Sequence, residues 1–409
     1  MLNNKKKTIW IINQYASTPE TGIGGRHFSL AKELAKQGYS VYLIAASYTH
    51  ILRNPIEMNG QFQVESIADF SFVWVKVPVY KNAHDKNRIF NWFNFAWKLR
   101  KLPGILINRP DVIWYSSPSL VPFISAKYLA KKLKSKLLFE VRDIWPLTFV
   151  EVGGYSPKHP FVRLMQWIED KAYFDADIVL SNLPNAAEHM ESRGMRRDKF
   201  KWIPNGLDMQ EMAVIHPLEE ATLAALPKNK FIIGYTGTLG VANALDYFID
   251  AASLLKEDSS LAWVIVGKGQ EKKNLELKCQ SLGLSNVYFI NPIAKTQVQT
   301  MLGLFDVCYI GLTKDPLFRF GVSPNKLFDY LYASKPIIYS IDSGNYFPVI
   351  EAQAGLSIQA ENSQAIADAV LTLKSMSPTQ RKELGENGHQ YAIENHDYEK
   401  LAEKLSSIL

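Results

Sequence analysis

The sequence has few of the features that mark secreted, metal-binding or membrane-spanning proteins. Its 409 residues include two cysteines, Cys279 and Cys308, which provide neither a disulfide framework nor a metal-ligand spacing. No run of apolar residues reaches the roughly 18 that a membrane-spanning helix needs. The initial stretch MLNNKKKTIWIINQ has too short an apolar run for a signal peptide and is typical of a strand. These absences favour a protein of a reducing compartment.

Positive charge is concentrated in one segment. The chain carries a net charge of +6, whereas residues 81–136 hold twelve Lys or Arg and two acidic residues, a net charge of +10. Within it, residues 88–107 (RIFNWFNFAWKLRKLPGILI) are rich in Phe and Trp. This composition suits an anionic membrane surface, but the spacing of Phe90, Phe93 and Trp97 fits a core helix equally well. Nucleic acid is not predicted as a partner, because the rest of the chain is acidic on balance and shows no reader motif.

Apolar runs of strand length alternate with helical patterns along most of the chain, without hairpin turns between them. This alternation is typical of an α/β fold with a parallel sheet. It restarts near residue 231, and 409 residues are too many for one ordinary core. We therefore predict two Rossmann-like domains, 1–205 and 231–384, joined by a linker at 206–230. A C-terminal helix at about 385–409 is expected to pack back on the first domain.

Four glycine-bearing turns follow predicted strands. They are GIGG (22–25), GTLG (237–240), GKG (267–269) and FGVSPNK (320–326). None has the dinucleotide pattern or the P-loop pattern, and each alone could be an ordinary turn. Three of them lie in the second half at strand ends, where ligands bind in open α/β sheets. Together they favour a backbone that approaches a ligand.

The stretch 321–338, GVSPNKLFDYLYASKPII, predicts a helix with an unusual beginning. Ser323 suits an N-cap and Pro324 the first helical position. The free N–H groups and partial positive charge of such a terminus suit phosphate. Lys326 in the first turn is disfavoured by the helix dipole unless an anion is present, and Asp329 could accept hydrogen bonds from a ribose. The alternative is an ordinary capped helix in which Lys326 and Asp329 form a local pair.

Other polar residues receive structural interpretations. Asp175-Ala176-Asp177 is expected to be a surface turn rather than a metal site, and Glu169 a surface acid of a helix. His27 and His84 are interpreted as exposed loop residues, with acceptor contact as the alternative. The sequence predicts no metal site and no cofactor.

Six segments together resemble a known family of enzymes. They are NQYASTPETGIGGRHFSLAKELAKQG (13–38), FEVRDIWP (139–146), IPNGLD (203–208), YTGTLGVANALD (235–246), VIVGKG (264–269) and GVSPNKLFDYLYASKPII (321–338). With them the chain resembles the retaining glycosyltransferases of family 4, which have the two-domain GT-B fold. Within that family it is similar to the bacterial O-antigen and capsule subgroup that includes N-acetyl-L-fucosamine transferases. The resemblance implies two Rossmann-like domains facing across a cleft.

The resemblance carries over to individual residues of the second half. The family's last motif has two glutamates eight positions apart, of which the second binds the donor ribose. Asp329 stands at that second position, whereas Gly321 occupies the first. Thr238 and Asn243 stand where the family has an Arg and a Lys that bind the diphosphate. We expect Lys326 to replace that pair, helped by backbone amides at the start of its helix.

In the first half, Arg142 falls where many relatives have a histidine near the reacting sugar, and Asp143 follows it. Gly24 and Gly25 match a loop that approaches the donor phosphates and the acceptor. The predicted catalytic residues are therefore Arg142, Asp143 and Lys326. The predicted donor-binding residues are Gly24, Gly25, Gly237, Thr238, Gly267, Lys268, Ser323, Pro324, Asn325 and Asp329.

The family and the basic aromatic segment together imply the substrates. The donor would be a nucleotide-diphosphate sugar, with UDP-sugars favoured, and the acceptor a carrier-lipid saccharide at the cytoplasmic face of a bacterial membrane. Contact with that membrane would be peripheral, through about residues 88–136. Two other functions remain open. Sugar-nucleotide 2-epimerases share the architecture but lack the SPNK-type motif, and a non-catalytic sugar-nucleotide-binding scaffold is conceivable because the Arg/Lys pair is missing.

Overall fold

The computed structural model describes residues 6–409 except 68, 82–84 and 86, so His84 lies outside the described residues. The chain divides into two compact units, Met1–Pro204 with Tyr398–Leu409, and Asn205–Asp397. The return of the chain to the first unit thus begins at Tyr398 rather than near residue 385. The helix that precedes this point packs within the second unit.

The first unit is built on an eight-stranded sheet in the order β3-β4-β2-β1-β5-β6-β7-β8. Its strands are β1 (Thr8–Ile12), β2 (Ser40–Ala46), β3 (Phe62–Ile67), β4 (Phe70–Val75), β5 (Val112–Ser116), β6 (Lys136–Val141), β7 (Ile178–Ser181) and β8 (Phe200–Trp202). Its helices are α1 (Arg26–Lys36), α2 (Asn87–Leu99), α3 (Phe123–Leu133), α4 (Trp145–Glu151), α5 (Pro160–Asp175) and α6 (Ala187–Ser192). The chain's last helix, Tyr398–Ser406, also belongs to this unit.

One strand pair departs from the predicted pattern. β3 runs antiparallel to β4, whereas β4, β2, β1, β5, β6, β7 and β8 are paired in parallel. The prediction that hairpin turns are absent was therefore wrong at this edge of the sheet. The central strands are buried on both faces, as the all-buried β1 shows, which explains their continuous apolar sequence. Because they are parallel, their carboxyl ends lie along one edge of the sheet.

The second unit is built on a six-stranded sheet in the order β11-β10-β9-β12-β13-β14. Its strands are β9 (Phe231–Thr238), β10 (Leu261–Lys268), β11 (Val287–Ile290), β12 (Val307–Gly311), β13 (Ile337–Ser340) and β14 (Gly355–Ile358). Its helices are α7 (Met209–Met212), α8 (Glu220–Ala224), α9 (Leu245–Leu254), α10 (Lys272–Ser281), α11 (Val298–Gly303), α12 (Asn325–Tyr332), α13 (Pro348–Glu351), α14 (Ser363–Ser375) and α15 (Pro378–His396), and the helix Tyr398–Ser406 is accordingly α16. All pairings between these named strands are parallel.

The predictions that Glu169 and His27 are exposed were both wrong, because tertiary packing buries these side chains. Glu169 was expected at a helix surface, but it is 1% exposed. It accepts hydrogen bonds from the Tyr173 hydroxyl and the Gln166 amide, and burial raises its pKa to about 7. His27 was interpreted as an exposed loop residue, but it lies in the first turn of α1 and is buried.

No helix among the residues that the structure describes is both long and apolar enough to cross a membrane. Likewise, within these described residues, no group of three or more His, Cys, Asp or Glu side chains is arranged to hold a metal ion.

Candidate functional site

The predicted lysine of the second unit lies at the ends of two neighbouring strands. Lys326 Nζ donates hydrogen bonds to the Tyr235 hydroxyl at 2.7 Å and to Asn243 Oδ1 at 2.6 Å. Both partners in turn donate to the Thr238 carbonyl, Tyr235 at 2.7 Å and Asn243 at 3.0 Å. The ammonium group also lies 4.4 Å from the centre of the Tyr235 ring. Lys326, Tyr235, Thr238 and Asn243 are here called the Lys326 cluster. The hydrogen bonds among them hold the lysine side chain in one position.

The two glycines beneath this cluster allow close backbone packing. Gly237 and Gly267 are register partners at the ends of β9 and β10, with φ angles of 146° and 150°. A Cβ on Gly267 would lie 1.9 Å from the Gly237 carbonyl oxygen, and a Cβ on Gly237 would lie 3.0 Å from Lys326 Cδ. Glycine is needed at both positions because a side chain would collide or strain the backbone. Lys268, the register partner of Thr238, is exposed at the same strand ends.

Burial changes the protonation of Lys326. It lowers the pKa of the amine to about 7, because the charged form loses water without gaining an anion. Lys326 and Asp329 do not form the local pair that was the alternative interpretation, since the lysine reaches across to β9 and to Asn243. An anion placed at this amine would restore its charge, so the cluster is chemically suited to phosphate.

The start of α12 differs in detail from the prediction. The helix begins at Asn325, and Pro324, not Ser323, occupies the N-cap position without a capping side chain. The Ser323 hydroxyl instead accepts from the Asn205 backbone N–H at 3.1 Å, and the Asn205 side-chain amide donates to the Ser323 carbonyl at 2.9 Å. Asn205, the first residue of the second unit, thereby fixes the approach to α12. The first N–H groups of the helix lack intrahelical acceptors, as in any α-helix.

Asp329 lies one turn further along α12 and is half-buried. Burial raises the pKa of its carboxyl to about 6; Lys295 opposes this rise and Glu211 adds to it. Lys295 and Glu211 form a salt bridge with each other, and the Gln299 amide donates to the Asp329 backbone carbonyl at 3.2 Å. Asp329 is therefore a carboxyl group beside polar side chains from three other segments, a suitable acceptor for hydroxyl groups.

In the first unit, a buried polar network is centred on Glu140 of β6, the strand that precedes the predicted residues Arg142 and Asp143. Glu140 of β6 is 0% exposed and accepts from Arg26 Nε at 2.8 Å and from His27 Nε2 at 2.6 Å. Arg26 also donates to the carbonyls of Ile203, at 2.8 Å, and Pro204. Burial alone would raise the pKa of Glu140, but Arg26 and His27 together hold it well below its usual range. The network thus ties α1 to β6 and to the last residues before the unit boundary.

The protonation of His27 follows from its neighbours. Burial lowers its pKa despite the opposing effect of Glu140, so the ring is neutral at pH 7. Its Nε2 proton is directed at Glu140, and its Nδ1 then accepts from the Asn13 amide at 3.1 Å. The same amide lies 3.2 Å from the Ser116 hydroxyl at the end of β5. This histidine is fully engaged in holding the strand ends together.

Arg142 and Asp143 follow β6 directly. The Arg142 backbone N–H donates to the Ser117 hydroxyl at 2.9 Å, and its charge lowers the pKa values of both Glu140 and His27. Its Nε is enclosed and has no hydrogen-bond partner among the described residues, which is uncommon for a buried polar atom. The surrounding protein raises the pKa of Asp143 while Arg142 opposes that rise.

Gly24 and Gly25 precede α1 in the first unit, with φ angles of 67° and 77°. The structure thus brings Gly237, Thr238, Gly267, Lys268 and Lys326 together in the second unit, with Ser323, Pro324, Asn325 and Asp329 along the start of α12. Gly24, Gly25, Arg142 and Asp143 are located in the first unit.

Two site residues were missed from the sequence although signals for them were present. Tyr235 is two positions before Gly237 in β9, so strand alternation places both on one face. Glu140 is a single acid within the apolar strand KLLFEV, and a charge in such a position is buried only when paired.

Comparisons with known proteins agree with this architecture. The family model described as Glycosyltransferase Family 4 matches residues 22–211, and the model described as Glycosyl transferases group 1 matches residues 222–391. Together they match more than half of the chain, which therefore belongs to glycosyltransferase family 4. The predicted GT-B class of fold is confirmed, and the chain is a glycosyltransferase.

Individual relatives refine the comparison. The chain is 25% identical over 328 residues to WcaI of Escherichia coli K12, a glycosyl transferase assigned to colanic acid biosynthesis, covering 77% of this chain and 78% of that protein. Sucrose-phosphate synthase from Thermosynechococcus elongatus is similar in structure, with 15% identity, 98% coverage of both chains and a TM-score of 0.73. Anabaena HepE, solved with UDP and glucose, has 14% identity, coverage of 98% and 99%, and a TM-score of 0.64. At such identities the structures show the fold alone.

Proposed function

We propose that this chain is a retaining glycosyltransferase that moves a sugar from a UDP-sugar to a lipid-linked saccharide during synthesis of a bacterial surface polysaccharide such as O-antigen or capsule. The observation that carries the proposal is the Lys326 cluster. It supplies a fixed amine at the start of α12, which an anion would hold in its charged form, although the family's Arg and Lys are replaced by Thr238 and Asn243. Lys326 Nζ lies 2.6 Å from Asn243 Oδ1, and therefore beside the position where the family's lysine is missing.

The chemistry requires positive charge at the leaving group. The bond between the sugar carbon and the diphosphate oxygen breaks, and the electron pair stays on the oxygen. The acceptor hydroxyl oxygen bonds to that carbon, and its proton passes to the departing diphosphate oxygen. We assign stabilisation of the diphosphate to Lys326 and the first N–H groups of α12, which act by electrostatic preorganisation. Arg142, with its enclosed and unpartnered Nε, is assigned to the transferred sugar together with Asp143, and Gly24 and Gly25 to the approach of the donor.

Asp329 is assigned to the donor ribose. Its carboxylate would accept hydrogen bonds from the two ribose hydroxyls, one helical turn from the phosphate-binding lysine. Ser323, Pro324 and Asn325 place the α12 backbone beside the phosphates, while Gly237, Thr238, Gly267 and Lys268 form the strand ends beneath them. Phosphate first and ribose next is the order in which a nucleoside diphosphate presents its groups.

Replacing Asp329 by asparagine is expected to weaken UDP binding by about tenfold, because one charge-assisted hydrogen bond contributes about 1.5 kcal/mol or more. The same change is expected to stabilise the empty protein at pH 8. Burial raises the pKa of this carboxyl above its unfolded value, so its contribution to stability is present at low pH and is lost as pH rises through 6. Titration calorimetry with UDP and urea denaturation at pH 4.5 and pH 8 measure the two effects.

The matched control is Asp246→Asn, which changes an exposed carboxylate of α9 in the same unit. If Asp329→Asn raises the free energy of unfolding equally at the two pH values, burial does not raise the pKa of the Asp329 carboxyl. UDP affinity equal to that of the unchanged protein would contradict the ribose role.

We assign peripheral membrane contact to the outer face of α2. Phe90, Phe93 and Trp97 are 61%, 46% and 59% exposed, so the core-helix alternative does not hold for these three side chains. Lys101 Nζ lies 4.3 Å from the centre of the Trp97 ring, and Arg100 and Lys132 lie over the Tyr128 ring of α3. Exposed aromatic rings flanked by cations are typical of surfaces that bind anionic membranes peripherally. We place this contact at the inner face of the cell membrane, through about residues 88–136.

Changing Phe90, Phe93 and Trp97 together to serine is expected to abolish flotation with vesicles that contain anionic phospholipid, because the buried apolar area is lost. Flotation of the unchanged protein is expected to fall as salt rises, because screening weakens the attraction of the basic residues. Phe347→Ser, which alters a side chain 45% exposed in the second unit, is the control. Recovery of the triple variant with vesicles at the level of the unchanged protein would remove the membrane assignment.

A panel of nucleotide sugars, tried with and without a lipid-linked saccharide, tests the reaction itself. Release of nucleoside diphosphate that requires the acceptor supports transfer. Interconversion of the free donor would indicate an epimerase, and binding without turnover would indicate a scaffold. We expect turnover with a UDP-sugar and retention of configuration at the transferred carbon.

A further inference from the structure

A groove with a volume of about 390 Å³ lies between α4 and α5 of the first unit. Its size is within the range of small-molecule sites, roughly 300–1,000 Å³. The apolar side chains that line it, from α4, the following connection and α5, are those of Pro146, Leu147, Val150, Pro157, Val162 and Trp167. This feature is here called the α4–α5 groove, and it has no part in the donor site described above.

The polar side chains of the groove are bonded to one another. Arg193 Nε donates to Asp170 Oδ1 at 2.8 Å, and Arg193 Nη2 donates to Asp170 Oδ2. The Gln166 amide donates to the same carboxylate at 2.8 Å. All three residues line the groove. An apolar occupant therefore leaves these hydrogen bonds intact, whereas a polar occupant would have to compete with them.

The apolar side chains around the groove are incompletely covered. Leu147 and Val150 are half-buried, and Trp167 is exposed. Val152 and Tyr155, which follow α4 in the chain, are also exposed. Exposed apolar side chains gathered beside a groove are typical of sites that bind apolar ligands or membranes.

The α4 side of the groove begins near the residues assigned to the transferred sugar. Pro146 is three residues after Asp143, and three residues span at most about 11 Å. A molecule whose hydroxyl reacts beside Asp143 can therefore place a more distant part of itself in the groove.

The α5 side of the groove adjoins an exposed aromatic face. Trp167 and Phe174 are 55% and 67% exposed, and their separation of seven residues, about two helical turns, places them on one side of α5. Lys171 Nζ lies 5.2 Å from the centre of the Phe174 ring, as Lys101 Nζ lies over the Trp97 ring beside α2. Trp167 thus belongs both to the groove and to a face that resembles the proposed membrane-binding face.

α3 connects this face of α5 to α2. Arg100, which follows α2, donates from Nε to the Ser125 hydroxyl of α3 at 3.3 Å, and Lys127 of α3 forms a salt bridge with Asp175 at the end of α5. The crossovers from β5 to β6 and from β6 to β7 have the same hand, so α3 and α5 cover the same face of the sheet. If the outer face of α2 contacts the membrane, α5 and the groove lie beside that contact.

We infer that the α4–α5 groove binds the hydrocarbon chain of the lipid-linked acceptor where that chain leaves the membrane. The inference rests on the proposed function and deepens it by assigning the acceptor's chain to named residues. Arg163 also lines the groove and is exposed, so its positive charge favours a chain that carries a phosphate over a neutral one. The acceptor's sugar then lies toward Asp143 and its chain toward Trp167.

The test uses the full chain with saturating UDP, which occupies the donor site, and farnesyl diphosphate as a soluble lipid diphosphate. Titration calorimetry is expected to show that farnesyl diphosphate binds at least tenfold more tightly than inorganic pyrophosphate, because its chain buries apolar area. Val150→Trp fills the groove and is expected to weaken farnesyl diphosphate binding at least tenfold, with UDP affinity unchanged. Val152→Trp makes the same exchange at an exposed position outside the lining and is expected to match the unchanged protein.

Two further measurements keep the test independent of how well Val150→Trp folds, which melting temperatures will show. Trp167→Ala removes an exposed ring from the lining and is expected to weaken farnesyl diphosphate binding by a smaller factor. A farnesyl diphosphate with a photoreactive group at the end of its chain is expected to label α4 or α5 of the unchanged protein.

Equal farnesyl diphosphate affinity in folded Val150→Trp and the unchanged protein would overturn the inference, as would photolabelling confined to other segments. Lysophosphatidylglycerol that binds as tightly, with the same dependence on Val150, would show a groove for membrane phospholipid and overturn the acceptor as the source of the chain. Binding of UDP without binding of farnesyl diphosphate would contradict the inference alone. Failure of the unchanged protein to bind UDP would instead count against the proposed function.

Discussion

Replacing Lys326 by methionine is expected to lower the turnover number by about one to two decades. A hydrogen bond to a charged group contributes about 1.5–3 kcal/mol, and each 1.36 kcal/mol of transition-state stabilisation is tenfold in rate. The negative charge on the diphosphate grows as the sugar leaves, so the contact strengthens in the transition state. The rate of UDP release from the best UDP-sugar of the panel, with acceptor present, is the measurement.

The same substitution is expected to leave the protein folded. Burial lowers the pKa of the Lys326 amine, so the charged form of this amine does not stabilise the empty protein. Tyr235 and Asn243 keep their hydrogen bonds to the Thr238 carbonyl when the amine is removed. An equal or higher melting temperature, together with the loss of turnover, would distinguish a functional lysine from a structural one.

Lys256→Ala provides the control, since Lys256 is an exposed lysine that follows α9 in the same unit. Its turnover number is expected to equal that of the unchanged protein. Full turnover in Lys326→Met would show that the leaving diphosphate is stabilised by other residues and that the assignment of Lys326 is wrong.

UDP affinity is expected to fall by up to about tenfold per pH unit between pH 7.5 and 9.5. The empty protein holds the pKa of Lys326 at about 7, so the amine is largely neutral in this range. The diphosphate stabilises the charged form, and binding therefore takes up a proton, which becomes scarcer as pH rises. The decrease continues until the pH reaches the pKa of the lysine in the complex. Calorimetric dissociation constants at four pH values measure the slope.

Lys326→Met lacks the titrating amine and should bind UDP weakly, with little pH dependence over the same range. Proton uptake can be checked independently by comparing binding enthalpies in buffers with different ionisation enthalpies. If the unchanged protein binds UDP with the same affinity from pH 7.5 to 9.5, the Lys326 amine does not take up a proton when the diphosphate binds.

Lys326 and Asp329 share a property that links stability to function. Burial shifts the pKa of each toward its neutral form, to about 7 and about 6, so the charges that ligand binding needs are unfavourable in the empty protein. Residues that reduce stability in this way are typical of functional sites. The two predictions for α12 rest on this common physical cause.

The sequence predicted the repeated strand-and-helix order because the buried parallel strands are continuous apolar runs. It also located the turns at Gly237 and Gly267, whose positions demand close backbone approach. It could not predict that Asn205, distant in the chain, takes the Ser323 hydroxyl as its acceptor, so the N-cap assignment of Ser323 was wrong. Such long-range hydrogen bonds have no periodic signal.

Contacts between residues distant in the chain also explain what the sequence could not predict in the first unit. His27 and Glu169 are polar side chains on helices, and only the packing of those helices shows that both are buried. The pairing of Glu140 with Arg26 joins residues 114 positions apart, although an acid in an apolar strand was a visible signal that it needed a partner. The spacing of Phe90, Phe93 and Trp97 likewise could not predict that they are exposed. Aromatic residues recur with the same helical period whether that face of the helix points to solvent or to the core.

A crystal structure of the full chain with UDP tests the central assignment most directly. We predict that the β-phosphate lies within about 3 Å of Lys326 Nζ, a hydrogen-bond distance, and that the Asp329 carboxylate accepts from the ribose hydroxyls. Phosphates bound away from Lys326, with no ribose contact to Asp329, would contradict it.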